Sequence, residues 1–161
     1  MSETCYAVMD SPVGRLLLCA EGDVLTCIEF QRGRRGKRED PPGAARRKPL
    51  CEAIRQLEEY FRGDLQEFDL DMEAAGTEFQ RRTWKALQAI PYGQTISYAE
   101  LARRMGNPKA VRAVGTANGS NPLPIVIPCH RVIGSNGKLT GYGGGLDIKQ
   151  QLLKLEGARL V

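Results

Sequence analysis

Residues 97–122 read SYAELARRMGNPKAVRAVGTANGSNP, and this stretch decides the fold of the C-terminal half. Ser97 followed by Glu100 is a capping box: the hydroxyl accepts from an early helix amide and the carboxylate reaches back. Tyr98, Leu101, Ala102 and Met105 then form the inner face of a short helix that Gly106 closes. Asn107 is placed to cap a second helix with Pro108 at its first position. On that helix Val111, Val114 and Gly115 fall inward, while Lys109, Arg112 and Thr116 form an outer row. Two short helices about a glycine turn make a helix-turn-helix. Helical hairpins are common, but here the small residues Ala110, Ala113 and Gly115 lie beside a cationic row. Small side chains let a helix approach a groove closely, so the pattern points to DNA.

Downstream lies NPLPIVIPCHRVIG, residues 121–134. Its prolines at 122, 124 and 128 rule out a helix. The apolar PIVI reads as a buried strand that ends at Cys129. A buried cysteine is ordinarily inert packing. This one, however, is followed by His130, the one histidine of the chain, and then by Arg131. A reactive thiol needs such neighbours to stabilise its thiolate. Adjacent side chains of a strand point to opposite faces, so either the chain turns at Cys129 or a water carries the proton to His130. An imidazole base also wants a carboxylate to orient it, and Asp147 and Glu156 are the candidates in the last 35 residues.

Upstream, GTEFQRRTWKALQAIPYG (76–93) carries a second capping box, Thr77 with Gln80, and an inward face of Phe79, Trp84, Leu87 and Ile90. The N-terminal TCYAVM, RLLLCA and VLTCIEF read as strands, the last two as a hairpin. Residues 31–49 are basic, rich in proline and glycine and nearly free of apolar side chains, which predicts a flexible surface loop. Leu50, Ile54, Leu57 and Phe61 mark one helix face, and EFDLDMEA (67–74) alternates as an edge strand does.

These elements predict an α+β protein. A small N-terminal antiparallel sheet with a helix occupies residues 1–76, and a mostly helical domain with the helix-turn-helix and the cysteine occupies 77–161. The charge divides at the same place. Residues 1–76 hold 11 basic and 15 acidic side chains, net −4, and residues 77–161 hold 12 and 4, net +8. A basic half suits a polyanionic partner. No apolar run is long enough to span a membrane, and the N-terminus has no signal-peptide pattern. The five cysteines have neither disulfide nor zinc spacing, so Cys5, Cys19, Cys27 and Cys51 read as reduced core hydrophobes, and no metal or cofactor is expected.

NPLPIVIPCHRVIG, followed by GKLTGYGGGLDIKQQLLKLEGA and preceded by GNPKAVRAVG, resembles the O6-alkylguanine-DNA alkyltransferases, also called methylated-DNA–protein-cysteine methyltransferases. The resemblance is strong from Phe79 to Ala158, and SPVG with the early strands fits the family's more variable N-terminal domain. It implies that Cys129 is the alkyl acceptor, His130 a base acting through water, and Glu156 the carboxylate that orients it. Asn121 fixes the turn before the active-site strand. Arg112 enters the duplex in place of the extruded base, and Tyr98 helps to rotate the nucleotide and donates toward guanine N3. Lys109, Ala110, Ala113 and Gly115 complete the DNA-binding face. Pro124, Val132, Tyr142, Gly143 and Lys149 belong to the alkylguanine pocket: the carbonyls of Cys129 and Val132 accept from the guanine amino group, and the Gly143 amide contacts O6.

The resemblance implies irreversible repair of O6-alkylguanine, and of O4-alkylthymine, by a monomer that enters the minor groove of double-stranded DNA. A prokaryotic location is the cytoplasmic nucleoid and a eukaryotic one the nucleus. Gly143 stands where some members carry serine, and the backbone donor survives that change. Two rivals differ in chemistry: a non-catalytic DNA-binding regulator binds alkylated DNA without being alkylated, and a cysteine hydrolase turns over repeatedly and ignores DNA.

Overall fold

The computed structural model describes residues 4–31, 48–136, 142 and 145–158. The chain divides into two compact units, Met1–Ala75 and Gly76–Val161. The basic stretch at 32–47 and Gly143 lie outside the described residues.

In the first unit, β1 (Thr4–Met9), β2 (Leu16–Glu21) and β3 (Val24–Phe30) form an antiparallel meander in that order. Ala7, Leu18 and Ile28 pair across the three strands and are buried together. Helix α1 (Lys48–Phe61) packs on this sheet. Its buried stripe is Leu50, Ala53, Leu57 and Tyr60, whereas Ile54 and Phe61 are half-buried. The expected face is therefore rotated. Ala53 lets the helix come close to the sheet, and Tyr60 packs on the rings of Phe61 and Phe68, at 5.3 and 5.4 Å.

The expected edge strand at 67–74 is reduced to a single bridge between Leu25 and Met72. The buried Gln56 amide explains this. It donates to Asp69 O at 2.8 Å and accepts from Asp69 N at 2.9 Å, taking the groups that a neighbouring strand would use. Of the four N-terminal cysteines only Cys5 is in the core; Cys19 and Cys27 are half-buried and Cys51 is exposed.

The second unit begins with α2 (Glu78–Gln88), whose capping box is complete: Gln80 N donates to Thr77 Oγ1 and Thr77 N to Gln80 Oε1. Trp84, 2% exposed, donates from Nε1 to Ala117 O at 2.8 Å and so pins α2 to α4 (Val111–Gly119). A two-residue strand, β4 (Ile96–Ser97), leads into α3 (Tyr98–Arg104) and pairs in parallel with β5 (Val132–Ile133). Ser97 Oγ accepts from Glu100 N, but Glu100 does not complete the box. Its carboxylate is held by Arg103 and Arg104 on the same helix.

Gly106, at φ 77°, ends α3 in a Schellman turn, with Gly106 N bonded to Arg103 O and Asn107 N to Ala102 O. The next helix starts later than the sequence suggests. Asn107–Ala110 is a turn closed by Ala110 N to Asn107 O, and α4 begins at Val111. Helix α5 (Leu146–Leu155) buries Ile148, Lys149, Leu152 and Leu153.

Candidate active site and nucleic-acid face

The segment after α4 is buried but is not a strand. Its prolines cannot donate to a ladder, and the chain instead curls around Asn121. Asn121 Nδ2 donates to Ile127 O at 2.8 Å, and its Oδ1 accepts from Leu123 N at 2.9 Å. Ile127 N bonds to Leu123 O at 2.8 Å, and Ile125 is held at φ 76°. A β-branched residue in the left-handed region is strained by ~1–3 kcal/mol, which the enclosing bonds hold in place. Pro124 is buried in this curl and bridges to Ile127.

The curl delivers the chain to one turn of 3-10 helix at Cys129–Arg131. The chain thus turns at Cys129 and does not continue as a strand, and no direct bond joins Cys129 Sγ to His130 among the described residues. His130 and Glu156 are side by side, Nε2 to Oε2 at 2.7 Å, with both side chains fully buried. Glu156, not Asp147, is the carboxylate on the imidazole. It caps the C-terminus of α5 and also accepts from Gly93 N at 3.4 Å. Burial pushes the His130 pKa down from its ordinary value; contact with Glu156 opposes this, and the charges of Arg131 and Lys149 reinforce it. The imidazole is therefore neutral. A carboxylate only accepts, so its proton is assigned to Nε2 and the lone pair to Nδ1. Nδ1 is buried and has no hydrogen-bond partner among the described residues.

Cys129 is 5% exposed. Burial raises its pKa above the ordinary thiol value, against the lowering influence of the Asn121 amide, the Lys149 charge, its own backbone N–H and the Tyr142 hydroxyl. The resting sulfur is thus a thiol surrounded by groups that favour the thiolate once it forms. Lys149 is fully buried and donates from Nζ to Val132 O at 2.7 Å, with the Tyr98 ring 6.0 Å away. Its burial pushes the amine down to about 8. Val132 O keeps a second lone pair, and Cys129 O is reached by Asn118 Nδ2 at 3.4 Å.

The adjacency of Arg131 to the thiol suggests a direct electrostatic role. The structure directs it elsewhere: Nε and Nη2 grip the two Glu156 oxygens at 2.8 and 3.1 Å, and Nη1 donates to Ile90 O at 2.7 Å. Its local sequence does not signal this fork. Nor does it signal Asn118, which lies on the buried side of α4.

The other face of α4 is open. Arg112, Ala113 and Thr116 are exposed on the helix, and Lys109 is exposed in the turn before it, so the expected outer row spans two elements. Ala110 is half-buried at the helix N-cap. Gly115 is half-buried, and a Cβ there would meet the Tyr98 ring at 3.8 Å, an ordinary contact. Its smallness is thus not required by packing inside the protein.

Residues 4–74 match the 6-O-methylguanine DNA methyltransferase ribonuclease-like domain, and residues 78–158 match the DNA binding domain of the same family. The methylated-DNA–protein-cysteine methyltransferase of Methanosarcina acetivorans is 52% identical over 154 residues, covering 95% of this chain and 98% of that protein. Its namesake from Mycolicibacterium paratuberculosis is 52% identical over 156 residues, covering 94% and 91%. The crystal structure of the Mycobacterium tuberculosis O6-methylguanine methyltransferase superposes with a TM-score of 0.86 at 47% identity, covering 99% and 96% of the two chains. The M. tuberculosis OGT in complex with DNA gives 0.84 at 50% identity, covering 94% and 92%. With both family domains matched in order and relatives half identical along nearly their whole length, this chain belongs to the O6-methylguanine-DNA methyltransferase family.

Proposed function

We propose that this protein repairs alkylated DNA by moving the alkyl group from guanine O6 to the sulfur of Cys129. The observation that carries this reading is the buried thiol on the same turn as a neutral His130 whose Nε2 is fixed by Glu156. The names of its relatives and the DNA complex of the M. tuberculosis protein support the same reading.

Binding comes first. Arg112 and Lys109 are exposed beside Ala113 on a face that suits close approach to the minor groove. A base inside the stack cannot reach the thiol of Cys129, a residue only 5% exposed, so the nucleotide must be extruded, at ~a few kcal/mol. Arg112 fills the vacated stack and Tyr98 steers the nucleotide. In the pocket the carbonyls of Cys129 and Val132 accept from the guanine amino group, a feature that favours O6-alkylguanine over O4-alkylthymine. Pro124, Tyr142 and Lys149 line the remainder.

In the chemical step the Cys129 proton passes through a water to His130 Nδ1. The sulfur attacks the alkyl carbon, the S–C bond forms as the C–O6 bond breaks, and guanine departs with the electron pair and regains a proton. Donors at N3 and O6 stabilise the departing base. The monomeric protein acts alone and once, because the product is a thioether with a poor leaving group.

The test is Cys129→Ala in gel-shift and transfer assays on a duplex with one O6-methylguanine. Binding is retained and transfer abolished. Residual transfer would assign the chemistry to another cysteine, and a wild-type protein that binds but is never alkylated would make it a non-catalytic regulator.

A further inference from the structure

The alkyl-transfer chemistry leaves one buried ion unused. Arg131 is 6% exposed, and each of its three nitrogens is committed: two to the Glu156 carboxylate and one to Ile90 O. The Tyr92 ring lies 5.8 Å from the guanidinium. None of these bonds reaches the sulfur, and two of the three end on Glu156, so the contact by which the cation touches the site is with Glu156.

Consider the carboxylate with the imidazole alone. At 2.7 Å in a water-excluded interior, Glu156 would draw a second proton onto His130 and form an imidazolium–carboxylate pair. An imidazolium has no lone pair at Nδ1 and cannot take a proton from the thiol. The fork from Arg131 supplies the compensating positive charge instead, and it holds both oxygens in one plane. We infer that Arg131 is a positioning residue: by fixing and neutralising Glu156, it keeps His130 neutral, with its proton on Nε2 and its Nδ1 lone pair turned to the reaction.

The other groups that face His130 agree. Burial acts in the same direction as Arg131, and Lys149 on α5 adds a second positive charge. Lys149 loses its own proton at about 8, so above that pH Arg131 is the cation that remains. Cys129, on the same turn, is a neutral thiol until it reacts. The inference rests on the reading of His130 as the base for Cys129.

The chain has one histidine, so the imidazole nitrogen signals of 15N-labelled protein belong to His130 alone. In the unaltered protein they are expected to show the neutral Nε2–H form at pH 7 and above. In Arg131→Gln the imidazole titration is expected to move up by about one to two pH units. Alkyl transfer at neutral pH falls at least ~tenfold and recovers as pH rises through the new imidazole pKa. Arg131→Lys keeps the charge but loses the fork, so its imidazole stays neutral and its rate loss is smaller.

An imidazolium or an Nδ1–H form in the unaltered protein at pH 7 overturns the inference, and that measurement needs no variant. So does an unchanged titration in Arg131→Gln with a rate loss equal at every pH, which is the signature of a merely structural residue. If Arg131→Gln does not fold, the spectrum of Arg131→Lys decides in the same way: a raised titration there refutes compensation by charge. Full transfer by His130→Ala would instead remove the base reading, while the nitrogen spectra would still report whether Arg131 holds the proton on Nε2.

Discussion

Glu156→Gln removes one charge from the middle of a closed network. The wild-type carboxylate accepts from His130 at 2.7 Å, from Arg131 at 2.8 and 3.1 Å, and from Gly93 N at 3.4 Å. Glutamine keeps one oxygen for Arg131, but the guanidinium becomes a buried cation without a counter-charge. Breaking a buried pair in this way costs ~3–5 kcal/mol. At ~2–4 °C per kcal/mol for a chain of this size, the melting temperature falls by ~6–20 °C. The new NH2 faces His130 Nε2–H, donor against donor. The imidazole escapes by moving its proton to Nδ1, which consumes the lone pair that the thiol needs. Transfer therefore falls by ~10²–10⁴ as well. Calorimetry and single-turnover transfer from a methylated duplex measure the two effects on one sample. A melting temperature within ~2 °C of wild type together with a full rate would refute the network as described.

Arg112→Ala slows transfer from duplex DNA far more than transfer from the free base O6-benzylguanine, because only a stacked base needs extrusion; equal losses on both substrates contradict the finger role. His130 makes stability depend on pH with a definite sign. Its folded pKa lies below 6.5, so the unfolded chain binds the proton first and stability is lost as pH falls from 6.5 toward the folded value. Urea titrations across that window show a shallower pH slope in His130→Asn, and parallel slopes would contradict a buried neutral imidazole. Trp84→Phe removes the bond to Ala117 O, which Ser120 Oγ and Ser120 N still reach at 3.0 and 3.2 Å, so it costs ~0.5–1.5 kcal/mol by chemical denaturation, and an unchanged midpoint would contradict the pinning of α2 to α4.

The elements with a local cause were legible in the sequence. Strands β1 to β3 are short apolar runs set off by turn residues, Thr77 and Gln80 cap each other across three residues, and Gly106 supplies the left-handed turn after α3. The elements whose cause is distant were not. The 67–74 segment alternates like a strand, but its backbone is taken by Gln56, which is 13 residues from Asp69. PIVI has strand composition, but Asn121 and the prolines curl it. At the site, the motif named Cys129 and His130 and left Asp147 and Glu156 as candidate carboxylates, and the resemblance chose Glu156 and supplied the roles. It did not reveal where Arg131 points, because its partners, Ile90 and Glu156, are 41 and 25 residues away. Nor did adjacency anticipate that burial raises the Cys129 pKa, an effect of the surrounding core and not of neighbouring letters.

The central claim is that Cys129 itself accepts the alkyl group, once. The direct test mixes the protein with a several-fold excess of duplex containing O6-methylguanine and follows intact mass, peptide mass and repaired guanine together. One methyl group per chain, all of it on the peptide that holds Cys129, with repair stopping at one guanine per protein, is the predicted result. Continued repair beyond one equivalent, or a methyl group on Cys5, Cys19, Cys27 or Cys51, would contradict it.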